Sequence, residues 1–573
     1  MLNIVSHPLF AKCRYLAAIV AGIALAASFP KIGVAGLAWI APALMLFAAL
    51  GKRGAEAFRI GYVAGLAHYL TSLYWLLNIP YTWHSIPLGP ATGWIALGAF
   101  MASFPATWVW LMLRLAEANG VKAVPTDANP GQQPLLPIPE NFLAGTWLQR
   151  LLWALTGACL WVAMEMFVTR IFGGFPWNLL GTSQYKLVPL IQIASVTAVY
   201  GVSFLVVWFS LALASAGLML IRNPGKRQTL VLEVFLPVLV IAGLFNHGLR
   251  QVRQAPAETR TCKVALIQPS IPQTLIWDDS RDDERFEELL RITEAAATNS
   301  PNLVIWPEAA VPKLLRYDRE MFEKVTGIAQ RHKLWMILGA DDAEPKKSNP
   351  KEADYFNSSF LVSPEGKLVD HYKKRALVIF GEYLPLTGWL PFLKWFTPIQ
   401  GGFTPGDQPS QFHMPDLGLN ASVLICYEDI FPQIGRGSAK PDTDFLVNIT
   451  NDGWFGEGAA QWQQGMSGLF RAVENRIPLI RCTNNGLTCW IDGYGRVRQI
   501  FRDSQNSIYG KGFMLFELPL PEKATERTFY TRHGDVFGWL CVAGSSVVVM
   551  TNFWIRRRTS PGKESIPPEP ALS

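Results

Sequence analysis

Eight long apolar runs constrain this chain more strongly than any other feature of its sequence. A helix that crosses about 30 Å of hydrocarbon needs roughly 20 mostly apolar residues, and each run comes close to that length. Seven runs precede residue 250 and one lies near the carboxyl end, at residues 12–29, 34–50, 58–77, 91–113, 151–168, 196–221, 229–246 and 535–555. The sequence therefore predicts a membrane domain of seven transmembrane helices over residues 1–250 and an eighth helix over 535–555.

The connecting segments predict which side of the membrane each part occupies. Lys and Arg are concentrated after the second, sixth and eighth runs, in "GKRGAEAFR", "RNPGKRQ" and "WIRRR", whereas "NIPYTWHSIPLGP" after the third run carries no charged residue. Positively charged segments favour the cytoplasmic side. We therefore expect a cytoplasmic amino terminus, a domain over 256–530 on the outer side and a cytoplasmic tail over 556–573. The long segment 114–150 is expected to be an extended cytoplasmic insert.

Composition argues against several functional classes. Only 17% of the 573 residues are charged, and the net charge of +7 is dispersed rather than gathered on a basic, aromatic face that would bind nucleic acid. The seven Cys are odd in number and the eight His show no metal-ligand spacing, so we expect neither a disulfide framework nor a metal. No glycine-rich phosphate-binding motif opens a helix. The sequence thus predicts no cofactor and no nucleic-acid partner.

The outward segment has the pattern of an α/β domain. Short apolar runs such as "KVALIQ", "NLVIWPE" and "SVLICYE" alternate with polar helical stretches such as "DDERFEELLRITEAAATN". Continuous apolar runs of this length are typical of strands that are buried on both faces. The predicted fold class is therefore a multi-span α-helical membrane domain plus an α/β domain.

Three of the predicted strands end in chemically capable side chains. "NLVIWPE" ends in Glu308, "LVDHYKK" ends in Lys373 and Lys374, and "SVLICYE" leads into Cys426. A thiol becomes a nucleophile when a neighbouring base removes its proton, and a cation beside it stabilises the oxyanion that forms next. These are the parts needed for acyl transfer through a thioester. From spacing alone, the alternative of an inert core thiol and structural charged residues stays open.

The same motifs resemble the nitrilase superfamily, and in particular its membrane-bound apolipoprotein N-acyltransferases. "LVIWPE", "YKKRALVIFGE" and "LICYE" occur in this order, with "NLLGTSQ" upstream and "NITNDGWFG" and "RCTNNG" downstream. The resemblance implies an α-β-β-α sandwich and a catalytic triad of Glu308, Lys374 and Cys426. It also implies a multi-pass protein of the bacterial inner membrane with its catalytic domain in the periplasm. The chain departs from the usual pattern at Ile379 and Trp462, where relatives commonly have Pro and His.

Four further residues are expected to support the triad or to bind substrate. Glu382 and Glu428 are expected to orient Lys374 or the incoming amine, with a structural ion pair as the alternative. The backbone N–H of Tyr427 follows the nucleophile and is a candidate oxyanion donor. The resemblance places Trp277 near the site. The apolar stretch 389–399 is expected to form a lid that faces lipid.

The resemblance implies transfer of a fatty acyl chain from a membrane phospholipid to the α-amine of a diacylglyceryl-cysteine at the amino terminus of an apolipoprotein. Cys426 would carry the acyl group as a thioester between the two steps. Two alternatives remain at this point. A membrane-anchored nitrilase-type amidase would transfer the acyl group to water, and a transporter or scaffold would contain an inactive nitrilase-like module.

Overall fold

The computed structural model describes residues 8–80, 88–116, 145–222, 227–276, 278–346, 349–384, 402–522 and 526–559. Among these residues, seven helices of eight residues or more precede the α/β region: α1 (Pro8–Ala27), α2 (Ala41–Ala48), α3 (Gly54–Ser72), α4 (Gly89–Ala116), α5 (Trp147–Val168), α6 (Val199–Arg222) and α7 (Arg227–Arg253). Within the described residues, five helical segments are long and apolar enough to cross a membrane: Gly89–Ala116, Trp147–Val168, Val199–Ile221, Leu232–Arg253 and Val536–Ile555.

The segment predicted as the second membrane span differs from a continuous helix. It consists of a 3₁₀ turn, Ala35–Trp39, and the eight-residue helix α2, with a break at Ile40. Pro42 lies in the first turn of α2. Because proline lacks an amide hydrogen and clashes with the preceding turn, it begins a helix more readily than it continues one. The apolar pattern of residues 34–50 therefore marks burial, but not a single spanning helix.

The α/β region contains two six-stranded sheets. The first has the order β12-β1-β2-β3-β4-β5 and the second has the order β11-β10-β9-β8-β7-β6. Their bounds are β1 (Glu258–Gln268), β2 (Leu303–Ile305), β3 (Trp335–Pro345), β4 (Ala353–Val362), β5 (Leu368–Lys373), β6 (Gln411–Met414), β7 (Leu419–Ile425), β8 (Phe445–Thr450), β9 (Leu479–Thr483), β10 (Cys489–Ile491), β11 (Val497–Ile500) and β12 (Gly512–Pro521).

The two sheets pack face to face and helices cover their outer faces. Val264, Ile305, Val423 and Ile449, from four strands of both sheets, belong to one buried cluster between the sheets. Helices α8 (Asp282–Ala297) and α9 (Arg319–His332) cover the first sheet, and α10 (Pro432–Ser438) and α11 (Ala460–Asn475) lie with the second. This is the α-β-β-α sandwich that the resemblance implies.

The sandwich begins and ends at neighbouring strands. β1 pairs antiparallel with β12, and Glu258 at the start of β1 lies opposite Pro521 at the end of β12. The chain reaches β1 from α7 and continues from β12 to the last helix, α12 (Val536–Thr559). The α/β region is therefore held between two apolar helices, with its entry and exit side by side.

Gln463 on α11 joins the sandwich to the membrane half, by which we mean the helices α1–α7 and the segments that connect them. Its side-chain oxygen accepts hydrogen bonds from the indole N–H groups of Trp75, at 3.1 Å, and Trp177, at 2.8 Å. Its amide nitrogen donates to the carbonyl oxygens of Pro30, at 2.8 Å, and Ser72, at 3.2 Å. One buried side chain thus fixes three separate segments of the membrane half against the helix layer of the second sheet.

Candidate active site

Cys426 lies at a sharp turn directly after the buried strand β7. Its backbone φ is +54°, in the left-handed region, and a short 3₁₀ helix, Cys426–Ile430, follows. A non-glycine residue held there costs about 1–3 kcal/mol, so the surroundings must enforce the conformation. One such contact is the hydrogen bond from Asn448 Nδ2 to the Cys426 carbonyl oxygen, at 2.8 Å. Cys426 is a partly exposed residue, whereas the strand that precedes it is almost entirely buried.

Glu308 lies just beyond β2, and both of its carboxylate oxygens accept hydrogen bonds. Oε1 accepts from Asn357 Nδ2, at 2.7 Å, and from Lys374 Nζ, at 3.1 Å. Oε2 accepts from the backbone N–H of Asn451, at 3.0 Å. The next residue, Ala309, also has a positive φ of +49°. The carboxylate is therefore fixed in position by donors from three different parts of the sandwich.

Lys374 is buried between two carboxylates. Its side chain is 1% exposed, and Nζ lies 3.1 Å from Glu308 Oε1 and 2.7 Å from Glu382 Oε1. The neighbouring Lys373 points away, since its Nζ lies 2.6 Å from Glu344 Oε2. Adjacent residues of a strand face opposite sides, so the structure places only the second lysine of "YKK" at the site.

Electrostatic interactions link the thiol to this group. Burial raises the pKa of the Cys426 thiol well above its ordinary value, the Glu308 carboxylate acts in the same direction, and Lys374 opposes both. Burial disfavours the charged form of Lys374, but the interactions with Cys426, Glu308 and Glu382 outweigh it and hold the pKa of the lysine well above its ordinary value. The resting thiol is therefore protonated at neutral pH, and it would need a base to remove its proton before it could act as a nucleophile.

Glu428 connects the turn at Cys426 to the segment that carries Lys374. Its carboxylate accepts hydrogen bonds from the backbone N–H groups of Ile425, Arg375 and Ala376, at 2.7–3.0 Å, and from the Tyr372 hydroxyl, at 2.8 Å. The side chain is fully buried. Of the roles expected from the sequence, the geometry favours positioning of Lys374 through its backbone over contact with an incoming amine.

Tyr427 packs towards the membrane half. Its ring lies edge to face with Phe431, with centroids 5.0 Å apart, and it belongs to a buried cluster with Trp75 and Trp177. The turn at Cys426 thus shares a buried aromatic cluster with the segments that connect the apolar helices. Trp277 and the proposed lid 389–399 lie outside the described residues.

Sequence reasoning missed two amides of the site. Asn357 on β4 donates to both Glu308 and Glu382, and the backbone N–H of Asn451 reaches Glu308. The signal for Asn357 was a lone amide inside the strand "YFNSSFLV", where a polar side chain needs partners. Asn451 falls within the quoted motif "NITNDGWFG", but nothing in the motif indicates which partner it has.

Within the described residues, one group of three side chains has ligand atoms close enough for a metal: Asp342, Glu344 and His371. Cations of the protein already pair with both carboxylates. Arg316 lies 2.6 Å from Asp342, and Lys373 lies 2.6 Å from Glu344. We interpret this group as a partly buried ion-pair cluster on strands β3 and β5 and assign it no metal.

We expect Gly339→Ala to reduce acyl transfer by displacing Glu308. A Cβ at residue 339 would lie 2.4 Å from the carbonyl oxygen of Pro307 and 2.7 Å from Cα of Glu308, closer than real contacts allow. Because a general base must lie within hydrogen-bond reach of its proton, we expect about a hundredfold loss of turnover. Gly327→Ala is the matched control, since its Cβ meets only the mobile end of Arg331. Equal activity of the two variants, measured as acyl transfer by the detergent-solubilised protein, would contradict this placement.

Comparison with known proteins adds independent findings. The Carbon-nitrogen hydrolase family model matches residues 263–514, and the Apolipoprotein N-acyltransferase N-terminal domain model matches residues 21–212. An apolipoprotein N-acyltransferase of Geobacter metallireducens is 34% identical over 94% of this chain and 95% of the relative. One from Brucella melitensis is 29% identical over 77% of this chain and 76% of the relative. The crystal structure of an amidase from Nesterenkonia sp. is 17% identical with a TM-score of 0.34, covering 46% of this chain and 92% of the amidase.

Proposed function

Because this chain belongs to the apolipoprotein N-acyltransferase family, we propose that Glu308, Lys374 and Cys426 carry out its acyl transfer through a thioester. The chain is a membrane-bound N-acyltransferase of the nitrilase superfamily. The observation that carries the residue assignment is the contact between Lys374 Nζ and Glu308, at 3.1 Å, in electrostatic reach of the Cys426 thiol. An inert core thiol would have no need of a buried base and a buried cation beside it.

The acyl donor in this proposal is a membrane phospholipid. Glu308 removes the thiol proton as the sulfur attacks an ester carbonyl, which forms a carbon–sulfur bond and a tetrahedral oxyanion. Lys374 and the backbone N–H of Tyr427 stabilise that oxyanion. As the carbon–oxygen bond breaks, Glu308 returns the proton to the departing lysophospholipid, and Cys426 holds the acyl group.

The acceptor is an apolipoprotein whose terminal cysteine already carries diacylglycerol. Its α-amine attacks the thioester carbonyl, a carbon–nitrogen bond forms, and the carbon–sulfur bond breaks. Glu308 takes a proton from the attacking nitrogen and passes it to the leaving sulfur. The product amide departs and the thiol is restored, so the site needs no external co-reactant.

We also propose the orientation predicted by the positive-inside rule. The chain is placed in the bacterial inner membrane, with the catalytic domain over 256–530 in the periplasm, the tail over 556–573 in the cytoplasm and membrane helices over 1–250 and 535–555. Two features support it. The sandwich lies between the apolar helices α7 and α12, and the turn at Cys426 packs on aromatic residues of the membrane half. Both keep the thiol close to the lipid that supplies its acyl chain.

The test is to follow the acyl group through both steps. The purified protein in phospholipid nanodiscs is incubated with phospholipid carrying a labelled acyl chain. We expect label on the protein that neutral hydroxylamine releases and that mass spectrometry locates on Cys426. A diacylated lipopeptide with a free α-amine should then take up the label, whereas the same peptide with an acetylated amine should not.

Each other outcome has a distinct meaning. Label that passes to water as fast as to the lipopeptide would make the protein a hydrolase and support the amidase alternative. Label that never binds the protein, while product still forms, would rule out the thioester. Absence of both label and product would favour a module without catalytic activity.

A further inference from the structure

Three neighbouring strands place Asp341, Asn357 and Lys374 in one row across the first sheet. In the antiparallel pair of β3 and β4, Asp341 lies directly opposite Asn357. Lys374 follows β5 and donates its backbone N–H to the Asn357 carbonyl oxygen, at 2.9 Å. Residues opposite each other in an antiparallel pair share a face and bring their Cβ atoms to about 5 Å. Asp341 therefore faces the site that the Asn357 side chain enters.

Asp341 differs from the other acids of this site in two respects. It is partly exposed, whereas Glu308 is 7% exposed. Within the part of the chain that the structure describes, its carboxylate has no hydrogen-bond or ion-pair partner, whereas Glu308 and Glu382 both contact Lys374. The neighbouring Asp342 faces the other side of the strand and pairs with Arg316. Asp341 is thus a partly exposed acid beside the hydrogen-bond network of Glu308, Glu382 and Lys374.

The carboxyl groups of the site outnumber its cation, so the site can bind a second cation. Three carboxyl groups interact in this region, those of Glu308, Glu382 and Asp341. Among the described residues, the cation in contact with them is Lys374, which pairs with Glu308 and Glu382. An incoming ammonium group would offset the excess negative charge and give the Asp341 carboxylate a partner. In the proposed reaction, the acceptor brings that group, because a terminal α-amine is mostly protonated at neutral pH.

We propose that Asp341 binds the α-ammonium group of the acceptor and removes one proton from it before the nitrogen attacks the thioester. This inference rests on the proposed function. The first transfer converts an ammonium and a carboxylate into a neutral amine and a carboxylic acid. The amine then attacks, Glu308 passes the second proton to the sulfur, and Asp341 releases its own proton to water after the product leaves. Protons and charges balance without any added reactant.

The electrostatic setting of Asp341 suits such a transfer. Burial raises the pKa of its carboxyl to about 7, Glu308, Glu382 and Asp342 act in the same direction, and Lys374 opposes them. A terminal α-amine has a pKa of about 7.7–8.0. Two groups with such similar proton affinities exchange a proton with little cost in either direction, which is the condition under which a general base works well.

Asp341→Asn tests the inference because it keeps the shape of the side chain and removes its basicity. At pH 7 only about a tenth of the terminal amine is uncharged, so we expect about a tenfold slower discharge of the acyl-enzyme by the lipopeptide. The deficit should fall below about twofold above pH 9, where the amine arrives uncharged. Formation of the acyl-enzyme from phospholipid should be unchanged, and the lipopeptide concentration for half-maximal discharge should rise.

Two control variants show whether slower discharge results from loss of the acid at residue 341 or from loss of a negative charge in general. Asp341→Glu should retain most of the discharge rate, because it keeps the acid. Asp283→Asn removes an equal charge from an exposed position on α8 and should behave like the wild type. The inference is overturned if Asp341→Asn discharges normally at pH 7, if its deficit persists at pH 9, or if acyl-enzyme formation falls as much as discharge does. Absence of acyl-enzyme in the wild type would instead refute the proposed function, so the two failures are distinguishable.

Discussion

Cys426→Ala is expected to abolish acyl transfer, with a residual rate roughly 10⁴-fold or more below that of the wild type. Without the sulfur no thioester forms, and the remaining residues of the site can only bind substrate and polarise its carbonyl. Alanine accepts the backbone conformation of residue 426 at the same steric cost as cysteine, so the turn is expected to persist. The measurement is covalent labelling of the protein by acyl-labelled phospholipid, together with the yield of N-acylated lipopeptide.

Cys482→Ala provides the matched control for this loss. Cys482 is a fully buried thiol of the same sheet, and its sulfur contacts the carbonyl oxygens of Ile267, at 3.3 Å, and Ile305, at 3.2 Å. Removing it leaves a small cavity at a cost of about 1 kcal/mol, and labelling should remain close to that of the wild type. Thioester label on the Cys426→Ala variant, or its loss from Cys482→Ala alone, would move the nucleophile to another residue.

Lys374→Met is expected to destabilise the sandwich more than any other conservative change at the site. The methionine fills the space of the lysine but leaves the carboxylates of Glu308 and Glu382 buried without their cation. Removal of one member of a buried ion pair costs about 3–5 kcal/mol, because the partner charge stays out of water. The apparent Tm of the solubilised protein should fall by about 5–15 °C.

Lys373→Met is the matched control for Lys374→Met. Lys373→Met removes the same group one residue earlier, where Lys373 and its partner Glu344 are 19% and 37% exposed. Ion pairs that solvent reaches contribute about 0–1 kcal/mol, so this variant should lose little stability. Equal destabilisation by the two substitutions would contradict the buried pairing of Lys374.

The sequence predicted best those features that depend on a local pattern of residues. Continuous apolar runs predicted the strands that precede Cys426 and Glu308, because both faces of those strands are covered. The motif resemblance selected Lys374 over Lys373, and the alternation of side chains along a strand implied that only one of the two can face the site. The fold class is confirmed by the two packed sheets, their helix layers and the match to the Carbon-nitrogen hydrolase family.

Other features depend on which strands become neighbours, and a local pattern does not contain that information. Asn357 and Asp341 belong to the site only because β3, β4 and β5 pair in one register. Glu428 follows Cys426 by two residues, yet two of its hydrogen-bond partners, the backbone N–H groups of Arg375 and Ala376, lie in the segment after β5. The break at Ile40 was missed for a different reason, since hydropathy measures burial and not the continuity of a helix.

The pairing of β1 with β12 has a consequence for the architecture as a whole. Because Glu258 and Pro521 lie opposite each other, the polypeptide leaves the sandwich where it entered. Loops between these two points can change in length without separating the paired ends of β1 and β12. The enzyme therefore has the architecture of an inserted domain, whose two ends stay side by side whatever the length of its internal loops.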